Sequence, residues 1–186
     1  METWIWVLIA VLVVIVIAVV VWVTLTKRRT TTLRDQFGSE YDRTLQQTDS
    51  RREAEADLSA RSERREQLDI RPLTSAAQER YSAQWQQVQS RFVDQPAVSL
   101  GQADELVMQV MRERGYPMDD FEQRAADISV DYPELVEHYR AGQIVSGSAA
   151  SGDATTEDMR QGLVHYRALF EELLGTDSGT DREVVR

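Results

Sequence analysis

The stretch AQERYSAQWQQVQSRF, residues 77–92, carries the clearest helical pattern in the chain. Its apolar side chains recur every three or four residues, so at 100° per residue they fall within an arc of about 80°. They are Ala77, Tyr81, Trp85, Val88 and Phe92. A row of this kind is typical of a helix that packs against a core. We therefore predict that Trp85, at the centre of the row, is buried.

The residues around this stretch predict where the helices begin and end. Ser75 lies three residues before Gln78, which is the spacing of a capping box at a helix start. Pro96 ends this helix, Ser99 is suited to cap the next one, and Gly115 is suited to end it.

Helical periodicity continues to the end of the folded part. Two Tyr-Pro pairs are each predicted to open a short helix, because proline fits the first turn. Residues 146–154 are rich in serine, glycine and alanine and are predicted to form a flexible loop. Thr155 or Thr156 then opens the last helix. Since no strand alternation appears, we predict an all-α fold with a helical bundle at 72–175 and a disordered tail at 176–186.

Residues 30–71 are predicted to form a helical connector. Within them, residues 51–68 are rich in Arg, Glu and Ala, and Arg61 and Arg65 interrupt their apolar stripe. We predict a solvated helix here, which would span about 27 Å if all of it is helical.

The N-terminal segment predicts a membrane anchor. Residues 4–25, WIWVLIAVLVVIVIAVVVWVTL, contain one polar residue, Thr24, and no charge. About 20 apolar helical residues cross a hydrocarbon core of about 30 Å. A cleaved signal peptide would have a basic start and a shorter apolar run, whereas only Glu2 is charged here. Residues 1–29 are therefore predicted to be an uncleaved, single transmembrane helix with its basic flank.

Two residue types mark the predicted membrane interfaces. Tryptophans favour the interface, and basic residues remain on the cytoplasmic side. The predicted interface residues are Trp4, Trp6, Trp22, Lys27, Arg28 and Arg29. Because the basic residues follow the apolar run, we predict a single-pass protein of the cell membrane, with its N-terminus outside and its bundle in the cytoplasm.

Composition excludes several classes of protein. The chain has no cysteine, which excludes a disulfide scaffold and a thiol-dependent enzyme. Its net charge of -10 repels phosphates, so no nucleic-acid partner is predicted.

The search for catalytic or metal-binding residues yields few candidates. Glu134 and His138 are four residues apart and can share a helix face, and His165 could join them only through the tertiary fold. A metal site needs three or four converging ligands. Asp119 and Asp120 are better explained as the start of a helix. We therefore predict no catalytic residue, no metal and no cofactor.

Several motifs together resemble a family of uncharacterised, membrane-anchored helical proteins of high-GC bacteria such as actinobacteria. The resemblance covers nearly all of residues 33–174, and it implies no activity and no functional residue. The motifs are LRDQFGSEYDRTL, LDIRPL, FVDQP, RGYP, FEQRAADISVDYP and TEDMRQGLVHYRALFEELL.

These observations favour a membrane-tethered, non-enzymatic helical scaffold that contacts the lipid bilayer and a protein partner. Two alternatives remain open. An enzyme or ligand-binding domain would be favoured by a buried, unsatisfied polar cluster around His138 or His165. A stalk-like subunit of a larger membrane complex would be favoured by sustained heptads, but prolines interrupt the helical pattern.

Overall fold

The computed structural model describes the backbone of residues 2–175. Between residues 2 and 27 it describes side chains only at positions 4, 6, 7, 12–17, 20 and 24. All regular elements in the described backbone are α-helices, which confirms the all-α class. The tail at 176–186 lies outside the described residues. The described helices are α1 (Glu2–Phe37), α2 (Ser39–Gln47), α3 (Arg51–Glu66), α4 (Ser75–Phe92), α5 (Pro96–Arg114), α6 (Phe121–Asp131), α7 (Val136–Ser151) and α8 (Thr156–Leu174).

The chain divides into two compact units, Met1–Ser59 and Ala60–Arg186. We call them unit 1 and unit 2. The division falls inside α3 and inside the predicted connector at residues 30–71.

Unit 1 contains α1, α2 and the first half of α3. Gly38 separates α1 from α2 with a φ of 48°, a value that glycine adopts without a steric penalty. Buried apolar side chains come from all three helices, and they are Leu33, Phe37, Tyr41, Ala54 and Leu58. The prediction of a solvated helix over residues 51–68 is therefore wrong for its first half.

Unit 2 is built around α5, which contacts α4, α7 and α8. Its buried apolar residues are Leu100, Ala103, Leu106, Val107, Val110 and Met111. On one side of the core, Trp85 of α4 stacks on Phe170 of α8, with ring centroids 4.6 Å apart and planes at 16°. Trp85 is 5% exposed, so the prediction that it belongs to the core is confirmed.

Helices α7 and α8 form a hairpin that needs two small residues. A Cβ on Gly142 would lie 3.0 Å from the ring of Tyr166, and one on Gly162 would lie 3.0 Å from Leu100 and Val145. The flexible loop predicted at residues 146–154 is wrong for most of its length, because α7 continues through Ser151. Serine, glycine and alanine at residues 146–151 are therefore part of a helix rather than a loop.

Several predicted helix starts are wrong. Ser99 lies inside α5, which begins at Pro96 after Gln95. Pro117 and Pro133 do not open helices, because α6 begins at Phe121 and α7 at Val136.

Other helix ends lie at or next to the predicted residues. Thr74 caps α4 by accepting from the Ala77 amide, so the predicted Ser75 is off by one residue. Thr155 caps α8 in a capping box with Asp158, and Asp120 caps α6, as predicted. Gly115 ends α5 with a φ of 99°, and a Cβ there would lie 2.5 Å from the backbone oxygen of Asp69.

Candidate functional site

The residues predicted to lie at a membrane interface all belong to α1. Trp4 and Trp6 are 71% and 70% exposed. The side chains of Trp22 and Lys27 lie outside the described residues. Among the described residues, no helix has both the length and the apolarity needed to cross a membrane. The membrane anchor therefore remains a prediction from the sequence.

The middle of α1 exposes apolar side chains in every direction. Six consecutive described residues are exposed, each by about half or more, and they are Leu12, Val13, Val14, Ile15, Val16 and Ile17. Six helical residues cover more than a full turn, so no side of this segment is polar. A helix that is apolar all round is stable only where an apolar environment surrounds it.

The basic flank contacts α3 within unit 1. Arg28 is exposed, and its carbonyl accepts a hydrogen bond from Thr32 Oγ1 at 3.0 Å. Arg29 donates from Nη2 to Ser59 Oγ at 2.7 Å. Ser59 is the last residue of unit 1, so the end of this unit lies within reach of the Arg29 side chain. It does not leave from the far end of an extended spacer.

A buried carboxylate joins the helices of unit 1 just after this flank. Glu55 is 7% exposed, and its Oε1 accepts from Thr30 Oγ1 at 2.6 Å and from the Tyr41 hydroxyl at 3.2 Å. Burial raises the pKa of Tyr41, and its hydrogen bond to Glu55 adds to the rise. The contacts hold α1, α2 and α3 together at one point within unit 1.

In unit 2, arginines of α3 bind carboxylates of α6 and of the segment before it. Arg64 contacts Asp119 Oδ2 through Nη2 at 2.7 Å and Asp127 Oδ1 through Nε at 3.1 Å. Arg65 contacts Asp131 Oδ2 through Nε at 2.5 Å. We call these five residues the arginine clasp. It attaches the second half of α3 through charge rather than through apolar packing.

The clasp continues into the interior of unit 2. The Tyr116 hydroxyl also donates to Asp131 Oδ2 at 2.5 Å. Burial raises the pKa of Tyr116, and the Asp131 carboxylate raises it further. Asp127 is 1% exposed, and Gln123 Nε2 donates to its Oδ1 at 2.9 Å. The remaining oxygen of Asp127, Oδ2, is buried without a hydrogen-bond partner. Removing the arginines of the clasp would therefore leave the carboxylate of Asp127 buried without its ion pair.

The two histidines meet across the α7–α8 hairpin. His138 Nδ1 lies 2.9 Å from His165 Nδ1, and the rings are tilted at 45° with centroids 5.1 Å apart. Both side chains are half-buried. Burial lowers the pKa of His165, and the neighbouring His138 lowers it further. No group of three or more potential metal ligands occurs among the described residues, so the pair itself supplies only two.

A second polar cluster lies inside unit 2 around Asp104 of α5. Burial raises the pKa of Asp104, while the Tyr166 hydroxyl and the charge of Arg124 partly offset the rise. Asp104 Oδ1 is buried without a hydrogen-bond partner. Arg124 Nε donates to the Tyr139 hydroxyl at 3.2 Å. The cluster thus joins α5, α6, α7 and α8 through polar groups.

The Tyr166 hydroxyl extends this cluster along α7. It lies 3.0 Å from Ser146 Oγ and donates to Gln143 Oε1 at 3.2 Å. Burial raises the pKa of Tyr166 and of Tyr139. Acid–base catalysis needs such a group beside a substrate cavity. Asp104 does not line three of the grooves on the described surface, which have volumes of about 230, 330 and 420 Å³.

An enzyme or ligand-binding domain would be favoured by a buried, unsatisfied polar cluster around His138 or His165. His138 and His165 are partnered with each other, and the unsatisfied buried atoms of Asp104 and Asp127 belong to other clusters. The cluster around Asp104 packs four helices together. Its geometry fits a structural polar network more closely than a reaction centre.

Comparisons of the chain with protein-family models, with curated proteins and with solved structures find no match. The resemblance to a family of high-GC bacteria stays a prediction, and it assigns no role to any residue. The functional argument therefore rests on α1, the two units and the polar contacts just described.

Two of these contacts were not anticipated from the sequence, although each had a signal. Arg64 and Arg65 lie on a charged stretch of α3, and Asp127 and Asp131 lie one turn apart on α6. Opposite charges on two helices favour facing surfaces. His138 and His165 lie at about equal distances along the sequence on either side of Gly152. An antiparallel helical hairpin brings residues at equal distances from its turn close together.

Proposed function

We propose that the protein is a single-pass membrane protein whose N-terminal helix tethers a non-enzymatic helical interaction module to the cytoplasmic face of the cell membrane. The observation that carries the proposal is α1 itself. Its first part contains 22 residues, 4–25, without a charge, and its last part contributes Leu33 and Phe37 to the buried residues of unit 1. The two proposed partners are the lipid bilayer and a second protein.

The unbroken helix gives the tether a mechanical property. Because α1 has no break before Gly38, and because Glu55 fixes it to α2 and α3, unit 1 follows any tilt or rotation of the anchor. Restriction to the membrane surface raises the effective concentration of the module towards a partner in the same membrane. We infer that unit 1 is a rigid collar at the membrane.

Membrane anchoring is tested by fractionation of the full chain. We expect the wild-type protein in the membrane fraction, resistant to carbonate and released by detergent. Arginine at positions 12, 15 and 20 together should move it out of that fraction, since each charge at the centre of a span costs about 2.5–3.5 kcal/mol. The matched control has alanine at the same positions and should stay in the membrane. Carbonate release of the wild-type chain would refute the anchor.

Orientation is tested with a reporter that is active only outside the cell. Fused after Arg186, it should be inactive, because the basic residues of the flank stay on the cytoplasmic side. The same reporter fused before residue 1 should be active. The reverse pattern would place the body outside.

The interaction role is tested by proximity labelling from the C-terminus of the full chain. The control is the chain without residues 1–29. We expect a membrane protein to be labelled reproducibly by the full chain and much less by the control, because only the tethered chain is concentrated at the membrane. Equal labelling by both chains would contradict a function that depends on the tether.

A further inference from the structure

The contact between His138 and His165 limits how many protons the α7–α8 hairpin can bind while it stays closed. A neutral imidazole has one nitrogen that donates and one that accepts. At 2.9 Å, one Nδ1 must donate its hydrogen to the other. The donor ring can take up a proton on its Nε2 and keep this bond. A second proton occupies the accepting Nδ1, so the bond is lost and two cations face each other.

We propose that this histidine pair is a pH-sensitive latch that holds α7 against α8 and opens when both rings are protonated. Its position supports the role, since the pair joins the first turn of α7 to the middle of α8. The rings are half-buried, so neither charge is fully screened by water. Tyr139, one residue after His138, is fully buried, so movement of this turn disturbs the core.

The electrostatic effect on His165 comes from its partner ring. Within four residues of either histidine along the chain, the charged residues are Glu134 just before α7, Glu137 and Arg140 on α7, and Arg167 on α8. Among all charges, His138 is the one that contributes to the lowered pKa of His165, after burial.

The direction of the pH effect follows from these observations. A histidine whose pKa is lowered by folding binds fewer protons in the closed state than in the open one. The closed hairpin is then favoured at neutral pH, and it is destabilised as the pH falls below about 6.5, the ordinary histidine value. Titration of two coupled rings occurs in two steps that belong to the pair.

The first test uses the presence of only two histidines in the chain. The full chain, labelled with ¹³C in histidine and held in detergent micelles with a chelator, should give two ring signals that titrate in separate steps. The second step should lie clearly below the ordinary range. In His138→Gln the remaining His165 signal should titrate at higher pH than that second step. Simultaneous titration of both rings in the wild-type chain would overturn the proposal.

The second test asks whether protonation opens the hairpin. Amide hydrogen exchange over residues 136–143, corrected for the intrinsic pH effect, should rise about tenfold or more between pH 7.5 and pH 5 in the wild-type chain, since one pKa unit corresponds to a factor of ten. The control is the double variant His138→Gln, His165→Gln, whose response should be nearly flat. An equal rise in both chains would show that the pair is a passive contact, and the proposed membrane tether would be unaffected.

Discussion

Two helices of unit 2 are attached by opposite means. Helix α4 is attached through apolar surface, with Trp85 stacked on Phe170. The second half of α3 is attached through the arginine clasp, in which Arg64 and Arg65 reach carboxylates on α6. The stabilisation from apolar burial needs no particular contact geometry and is not screened by salt. The stabilisation from an ion pair depends on its geometry and is screened by salt. The difference indicates which helix is a permanent part of the core and which can be released.

The largest expected effect concerns the apolar attachment. Trp85→Ala should lower the free energy of unfolding of unit 2 by about 3–5 kcal/mol, because it removes a buried ring and its stacking contact with Phe170. Thermal unfolding of the full chain in detergent micelles, followed by far-UV circular dichroism, measures the loss. Val93→Ala is the matched control, since Val93 is 85% exposed at the end of α4. An equally small effect of both changes would show that the stack does not hold α4.

A smaller loss is expected where helices approach closely without aromatic stacking. Gly142→Ala places a methyl group 3.0 Å from the Tyr166 ring, so the free energy of unfolding should fall by about 1–3 kcal/mol. The control is Gly147→Ala on the same helix, where nothing lies within 4 Å. That change should stabilise the chain by up to about 1 kcal/mol, because alanine favours a helix over glycine. Effects of the same sign at both sites would contradict the close packing.

The sequence predicted the apolar attachment and missed the ionic one for a physical reason. The apolar residues of a buried stripe recur with the helical period, and this pattern is visible in the sequence of one helix alone. Tyr81, Trp85 and Val88 could therefore be assigned to the core directly. An ion pair has meaning only with its partner, and Arg65 and Asp131 are far apart in the chain. Taken alone, an arginine that interrupts an apolar stripe indicates a solvated face.

The same reasoning applies to the histidines and to the glycines of the hairpin. His138 could be placed on a helix face from the sequence, but its partner depends on the path of the chain after α7. The predicted loop at residues 146–154 obscured that path, since Ser and Gly are typical both of loops and of closely packed helices. The anchor prediction needs no partner, and it stays a prediction to be tested in membranes.

The clasp itself should give a moderate effect that depends on salt. Asp127→Asn keeps the shape of a buried side chain and removes its charge, so the bond from Arg64 weakens. We expect a loss of about 1–3 kcal/mol in the free energy of unfolding, together with faster amide exchange over residues 60–66. Raising the ionic strength from 0.1 to 1 M shortens the screening length from about 10 to 3 Å and should reproduce part of this exchange increase in the wild-type chain. Exchange at residues 60–66 that responds to neither change would show that the clasp does not hold α3.

The smallest effect is expected at an ion pair of equally good geometry on the surface. Glu157 accepts from Arg160 Nη2 at 2.7 Å in the first turn of α8. Hydrogen bonds from Arg160 and then from Gln161 lower the pKa of Glu157 to about 2 from its usual value of 4.5. A lowered carboxylate pKa contributes stability above pH 4.5, and that contribution is lost as the pH falls towards 2. Both side chains are more than half exposed, so solvent screens the pair and the contribution is small.

Glu157→Gln should therefore leave the unfolding temperature at pH 7 unchanged within error. Asp127→Asn should lower it. Carboxyl ¹³C chemical shifts should still show that Glu157 titrates near pH 2 in the wild-type chain. A low pKa combined with an unchanged unfolding temperature would separate good geometry from stabilisation, and it would assign the effect of the clasp to the burial of Asp127. If Glu157→Gln destabilised the chain as much as Asp127→Asn, burial would not explain why the clasp holds α3.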